Sequence, residues 1–187
     1  KGRGRALFVV WCDSAQILAP SSAHCRDAIT RFPMRSSAAL RHLQVFAGKW
    51  LTTGQQHEGA VGPAAKITAV ETYEWLAGER FLVHRFEGLV GDKPAVFLEM
   101  IGYDTAAEDY PVHTYYNSGL TNEWRLHERD GAWLFTGKWD IQDKSTDVRC
   151  TLVFSEDADA MAGKWEYSSD GKAWTTFWDV DARKVRQ

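Results

Sequence analysis

No apolar run in this chain approaches the roughly 18–20 residues that a membrane-spanning helix needs. A spanning helix is therefore excluded, and no membrane partner is expected. Cysteine is scarce. Cys12, Cys25 and Cys150 are the three present, and no two have the close spacing of a zinc site. An odd count in 187 residues also argues against a disulfide framework, so reduced thiols in a cytoplasmic protein are the expectation. A dominant charge is missing too. Lys and Arg number 22 against 25 Asp and Glu, a formal charge of −3. That balance sets aside a strongly basic nucleic-acid binder. There is no phosphate loop, no dinucleotide fingerprint, no Gly-x-Ser-x-Gly nucleophile motif and no repeat of solenoid or propeller length.

What the chain does have is apolar and aromatic residues. Hydrophobic residues make up 44%, enough for a sizeable core, and nine Trp, nine Phe and six Tyr bring the aromatic share to 13%. The first 33 residues differ from the rest. They hold five Lys or Arg against two Asp, two of the three cysteines and no sustained period. A signal peptide fits poorly, because the apolar stretch from Ala6 to Trp11 is shorter than the roughly 7–15 residues such a segment needs. Met34 reads as a natural start. Residues 1–33 are expected to be a leader or appended segment, with one domain over 34–187.

Leu40, Leu43 and Phe46 recur at helical spacing, which predicts a short helix over 36–46. Beyond it, alternating segments rich in Val, Thr, Tyr, Phe and Trp predict strands. They cover 49–55, 66–76, 80–90, 94–103, 111–117, 120–128, 132–139, 148–154, 164–169 and 172–180. Gly91-Asp92, Ser118-Gly119, Asp130-Gly131 and Asp170-Gly171 read as hairpin turns, so neighbouring strands should be antiparallel. About ten short strands behind one helix predict an all-β fold, a single closed up-and-down barrel over about 46–182. Closure also removes exposed edges.

Phe46-Ala-Gly48-Lys-Trp50, following a short helix and opening the first strand, is similar to the Gly-x-Trp entry of lipocalins and their relatives, the calycins. Further pieces resemble a bacterial lipocalin-like family of unknown function. They are Leu76-Ala-Gly78-Glu-Arg80-Phe-Leu82, Gly102-Tyr103-Asp104 followed by Tyr110, Phe135-Thr-Gly137-Lys-Trp139 and the last hairpin, Ser169-Asp170-Gly171-Lys-Ala-Trp174. The resemblance spans about residues 40–185. It implies a calycin-like barrel with Trp50 packed across the floor and Arg183 stacked on it. The family brings no established chemistry.

Turn lengths then assign the faces. If the hairpin turns have two residues each, one face holds Glu74, Arg85, His113, Tyr115, Asn117, Asn122, Trp124, Trp139, Trp165, Trp174 and Trp178. The other holds Glu71, His84, Glu99, Glu123, Arg125, Lys138 and Lys164, together with Phe86, Phe97 and Ile101. Burying many unpaired charges would cost several kcal/mol each, so the first face is expected inside. A single β-bulge would invert everything beyond it.

On this reading the tryptophans line a cavity for a small apolar or aromatic molecule. Arg85, His113, Tyr115, Asn117 and Asn122 orient that molecule or form an internal hydrogen-bond network. The alternatives are a hydrolase or isomerase using His113 and Tyr115, a haem-binding barrel and a structural module with a filled core. Some barrels of the resembled superfamily hold haem through a strand histidine, which makes His113 and then His84 the candidate ligands. No cofactor is otherwise expected, and nothing in the sequence sets an oligomeric state. Glu71, His84 and Glu99 share one face of three consecutive strands and form the runner-up site, for a metal or for proton transfer. If His113 faces solvent, the faces exchange and that triad becomes interior.

Overall fold

The computed structural model describes residues 38–186. The expected leader, with Cys12 and Cys25, lies outside the described residues. A short helix α1 (Ala38–His42) runs into a 3-10 turn (Leu43–Val45), shorter than the spacing predicted, and buries Leu40 and Leu43. Ten strands follow: β1 (Gly48–Gln56), β2 (Ala65–Trp75), β3 (Leu82–Val90), β4 (Lys93–Ile101), β5 (Tyr110–Tyr116), β6 (Thr121–Arg129), β7 (Ala132–Ile141), β8 (Lys144–Phe154), β9 (Ala160–Ser168) and β10 (Thr175–Lys184). Each pairs antiparallel with its sequence neighbours, and β1 pairs with β10 to close the barrel. No described helix is long and apolar enough to cross a membrane.

One end of the barrel is plugged. Trp50 is fully buried, its indole N–H donates to the Phe46 carbonyl at 2.7 Å, and Phe46 packs edge-on to Trp133 and Phe154. The cation over Trp50 is Lys184, with Nζ 4.7 Å from the ring centroid, and not Arg183 as the resemblance implied. The register explains this: Trp50 lies opposite Lys184, while Arg183 lies opposite the exposed Leu51. Alternation along a strand then sends Arg183 outward.

The expected faces hold from β6 to β9 and fail from β2 to β5. Trp124 lies opposite Gly137 and Leu126 opposite Phe135, as the Asp130-Gly131 turn predicted, with Trp124, Leu126 and Phe135 all buried. At the β5–β6 turn, Tyr115 lies opposite Thr121 and Tyr116 N–H bonds to the Leu120 carbonyl. The loop is Asn117-Ser118-Gly119, three residues with Gly119 at φ +85°. Such loops end in a left-handed residue that suits glycine. One residue more than a two-residue turn inverts parity, so β2–β5 present the opposite face to the one predicted. Glu71, Tyr73, His84, Phe86, Glu99, Ile101 and Thr114 are buried, and Arg85, His113 and Tyr115 are exposed. A second irregularity, between Thr176 and Trp178 on β10, sets Trp178 opposite Trp165.

Candidate functional site

The tryptophan wall begins with a glycine. An added Cβ at Gly137 would stand 2.6 Å from Trp124 Cε3 and 2.9 Å from the Glu123 carbonyl. The absent side chain lets the Trp124 indole lie against the sheet, and its N–H donates to Thr114 Oγ1 at 3.2 Å. Trp165 packs edge-on to Trp124 at 5.6 Å and 74°, and to Trp178 at 6.3 Å and 75°. Trp139 meets Trp178 at 6.2 Å and 73°. Gln56 fixes Trp178 by accepting its indole N–H at 2.8 Å. The near-perpendicular rings form the corners of a box.

This box bounds a cavity of about 600 Å³ at the end of the barrel opposite Trp50. Its mouth is formed by the segment 61–65 and the β3–β4 and β5–β6 turns, with Asp92, Lys93 and Asn117 at the rim. Phe86 and Phe97, stacked at 4.6 Å and 7°, complete the apolar wall. A smaller pocket of about 70 Å³ shares Phe86, Phe97, Glu99, Trp165 and Trp178 with it and reaches Glu71 and His84.

At that inner level lies a buried polar network. His84 Nδ1 is 2.7 Å from Glu99 Oε2, and Nε2 is 2.8 Å from Glu71 Oε2. Glu99 Oε1 accepts from the Thr114 hydroxyl at 2.8 Å, Glu71 Oε1 accepts from the Thr52 hydroxyl, and Tyr73 OH lies 3.4 Å from Glu71 Oε2. The Tyr73 ring stacks on His84 at 3.9 Å and 5°. Burial works against a charged His84, yet its bonds to the two carboxyl groups outweigh burial and raise its pKa to about 9. Burial likewise pushes Glu71 up, but His84, Thr52 and Tyr73 together hold its carboxyl below the ordinary value. Burial and the two carboxylates push the Tyr73 hydroxyl well up, and they do the same to the Cys150 thiol.

The residues singled out from sequence divide sharply. Trp124, Trp139, Trp165 and Trp178 line the cavity together, and Asn117 stands at its rim. Asn122 lies opposite Thr114 on the inward face; its Nδ2 is buried without a hydrogen-bond partner. Trp174 precedes β10 on the outer surface, where the Arg149 guanidinium stacks 4.1 Å from its ring. Arg85 and Tyr115 point outward because of the inverted parity. His113 is outward as well, with its side chain 49% exposed and 3.5 Å from Glu123. On that face His113 has no access to the interior, as internal base or as haem ligand. The triad Glu71, His84 and Glu99 is interior instead, joined by Thr52, Tyr73 and Thr114, which the sequence reading did not single out. Phe86, Phe97 and Ile101 on the same face were the available signal. Because His84 faces a carboxylate at each nitrogen, its protonated form has no lone pair to offer a metal. Among the described residues no group of His, Cys, Asp and Glu has the arrangement of a metal site.

Comparisons with known proteins agree with this architecture. No protein with a curated description matches the sequence. Among solved structures, Rv2717c from M. tuberculosis superposes with a TM-score of 0.58 at 11% identity, over 80% of this chain and 99% of that one. The S-type phycobiliprotein lyase CPES from Guillardia theta superposes with a TM-score of 0.56 at 11% identity, over 81% of this chain and 95% of its own. At that identity the likeness concerns the fold, a lipocalin-like barrel. The family model "Protein of unknown function (DUF1579)" matches residues 36–167, most of the barrel, and the chain belongs to that family.

Proposed function

We propose that the protein binds a small apolar or aromatic molecule inside the barrel. The observation that carries this reading is the cavity of about 600 Å³ walled by Trp124, Trp139, Trp165 and Trp178. Its volume falls within the roughly 300–1,000 Å³ of small-molecule sites, and indole rings offer flat apolar area with little entropy to lose. A core of the same strands filled by aliphatic residues would leave no such space. The buried network supports the reading too. Replacing a buried ion network by packed apolar residues is often neutral or stabilising, so stability alone gives little reason to keep one. The lyase with a similar fold acts, by its name, on a phycobiliprotein; that likeness adds support only at the level of the fold.

Native mass spectrometry of freshly purified protein, combined with tryptophan fluorescence during titration with N-phenyl-1-naphthylamine, tests the proposal. A co-purifying small molecule or saturable quenching is expected. A bare protein whose fluorescence ignores a broad panel of apolar probes would mark the interior as core. A hydrolase or isomerase acting through His113 and Tyr115 has no support in this geometry, because both side chains lie outside the barrel.

A further inference from the structure

We propose that the molecule held in the tryptophan box is an organic cation, a quaternary ammonium compound with an apolar or aromatic body. This rests on the ligand-binding reading above and narrows it.

Charge is distributed unevenly around the two pockets. The acidic and basic side chains facing the two connected pockets are Glu71, Glu99 and His84, plus Asp92 and Lys93 at the rim; the Tyr73 and Tyr116 hydroxyls, pushed up by burial, add no charge. No arginine lines either pocket among the described residues, and Lys93, the one lysine, sits at the mouth beside Asp92. An anionic head drawn into the box would face the Glu99 carboxyl, while the buried cation, His84, is already engaged at both ring nitrogens by Glu99 and Glu71; an unpaired buried charge is costly.

Trp178 stands nearly perpendicular to both Trp139 and Trp165. The three indoles line the cavity while touching edge to face, so they do not form the parallel slot that a flat neutral ring would fill. The face of an indole carries negative potential, and Trp is the strongest of the side chains that attract cations in this way.

The hydrogen bonds already made by the two carboxyl groups separate the kinds of cation. Each Glu99 oxygen already accepts a hydrogen bond, from His84 and from Thr114; Glu71 Oε1 accepts one from Thr52, and Oε2 accepts from His84 and Tyr73. A primary ammonium entering the box would give up three strong water contacts and find Glu99, already bonded to His84 and Thr114, as the one carboxylate inside the mouth. A head carrying alkyl groups in place of N–H bonds requires only negative potential and aromatic faces, and the box supplies both.

The test compares three probes by calorimetry on the full chain: benzyltrimethylammonium, its neutral carbon isostere neopentylbenzene, and phenylacetate. The cation is expected to bind about tenfold or more tightly than the isostere, with phenylacetate weaker still. Glu99→Gln should lower cation affinity by about tenfold while leaving the isostere within about twofold. Should Glu99→Gln not fold, Trp165→Phe should likewise reduce the cation's advantage over the isostere. An isostere or anion that binds as tightly as the cation overturns the proposal and leaves the ligand-binding reading standing. Failure of all three, together with N-phenyl-1-naphthylamine, overturns both.

Discussion

His84→Leu isolates the buried network. The substitution leaves apolar volume where the imidazole was and removes the shared partner of two carboxyl groups that lie 2.7 and 2.8 Å from it. Breaking a buried ion pair by deleting one partner costs about 3–5 kcal/mol. The pH dependence gives an independent measure of the same interaction. His84 is ordinarily half-protonated near 6.5 and here near 9. A pKa raised on folding gives stability that is fully present below the unfolded value and is lost as pH rises through the folded one. The shift corresponds to on the order of 3 kcal/mol, lost between about pH 6.5 and pH 9. Glu71 works in the opposite direction: its lowered pKa gives stability present above its ordinary value near 4.5 and lost as pH falls. Wild-type stability should therefore plateau between about pH 4.5 and pH 6.5 and decline on either side. In His84→Leu the two carboxyl groups have no cation, so the alkaline decline through pH 9 should vanish. The remaining loss should shrink in acid, where Glu71 takes up a proton. Urea unfolding followed by far-UV circular dichroism across this range measures both effects. A neutral-pH loss under about 1 kcal/mol, or an unchanged alkaline decline in the variant, would refute the reasoning.

Three further outcomes follow from named contacts. Gly137→Ala places a Cβ 2.6 Å from Trp124 Cε3, so the indole must move; the variant should fold with about 1–3 kcal/mol less stability and show weaker probe quenching. His113→Ala should change stability by less than about 0.5 kcal/mol and leave probe binding intact, since the side chain lies on the outer surface. Trp50→Ala empties the plugged end and should cost about 3–5 kcal/mol by thermal or denaturant unfolding.

The sequence made the barrel legible because its cues are local. Alternation, the four turn dipeptides and the Gly48-Lys49-Trp50 entry each act within a few residues, and ten antiparallel strands follow from them. The site was legible only where parity survived. Trp124, Trp139, Trp165 and Trp178 were rightly assigned inward because the Asp130-Gly131 turn has the expected pairing and the bulge on β10 sets Trp178 opposite Trp165. His113, Tyr115 and Arg85 were assigned to the wrong face by a single residue in the loop Asn117-Ser118-Gly119. Composition reinforced the error. A face holding Glu71, His84 and Glu99 reads as solvated unless its charges pair with one another. That pairing depends on three strands standing side by side, which turn chemistry alone does not reveal. Phe86, Phe97 and Ile101, on the same face, carried the opposing signal, and the folded barrel follows them.

The central claim is that a ligand occupies the tryptophan box, and the indole N–H NMR resonances test it most directly. During titration with N-phenyl-1-naphthylamine, the resonances of Trp124, Trp139, Trp165 and Trp178 should shift together and saturate. Those of Trp50 at the plugged end and Trp174 on the outer surface should stay in place. Shifts confined to Trp174, or no shift at any indole while the probe is in excess, would contradict the account.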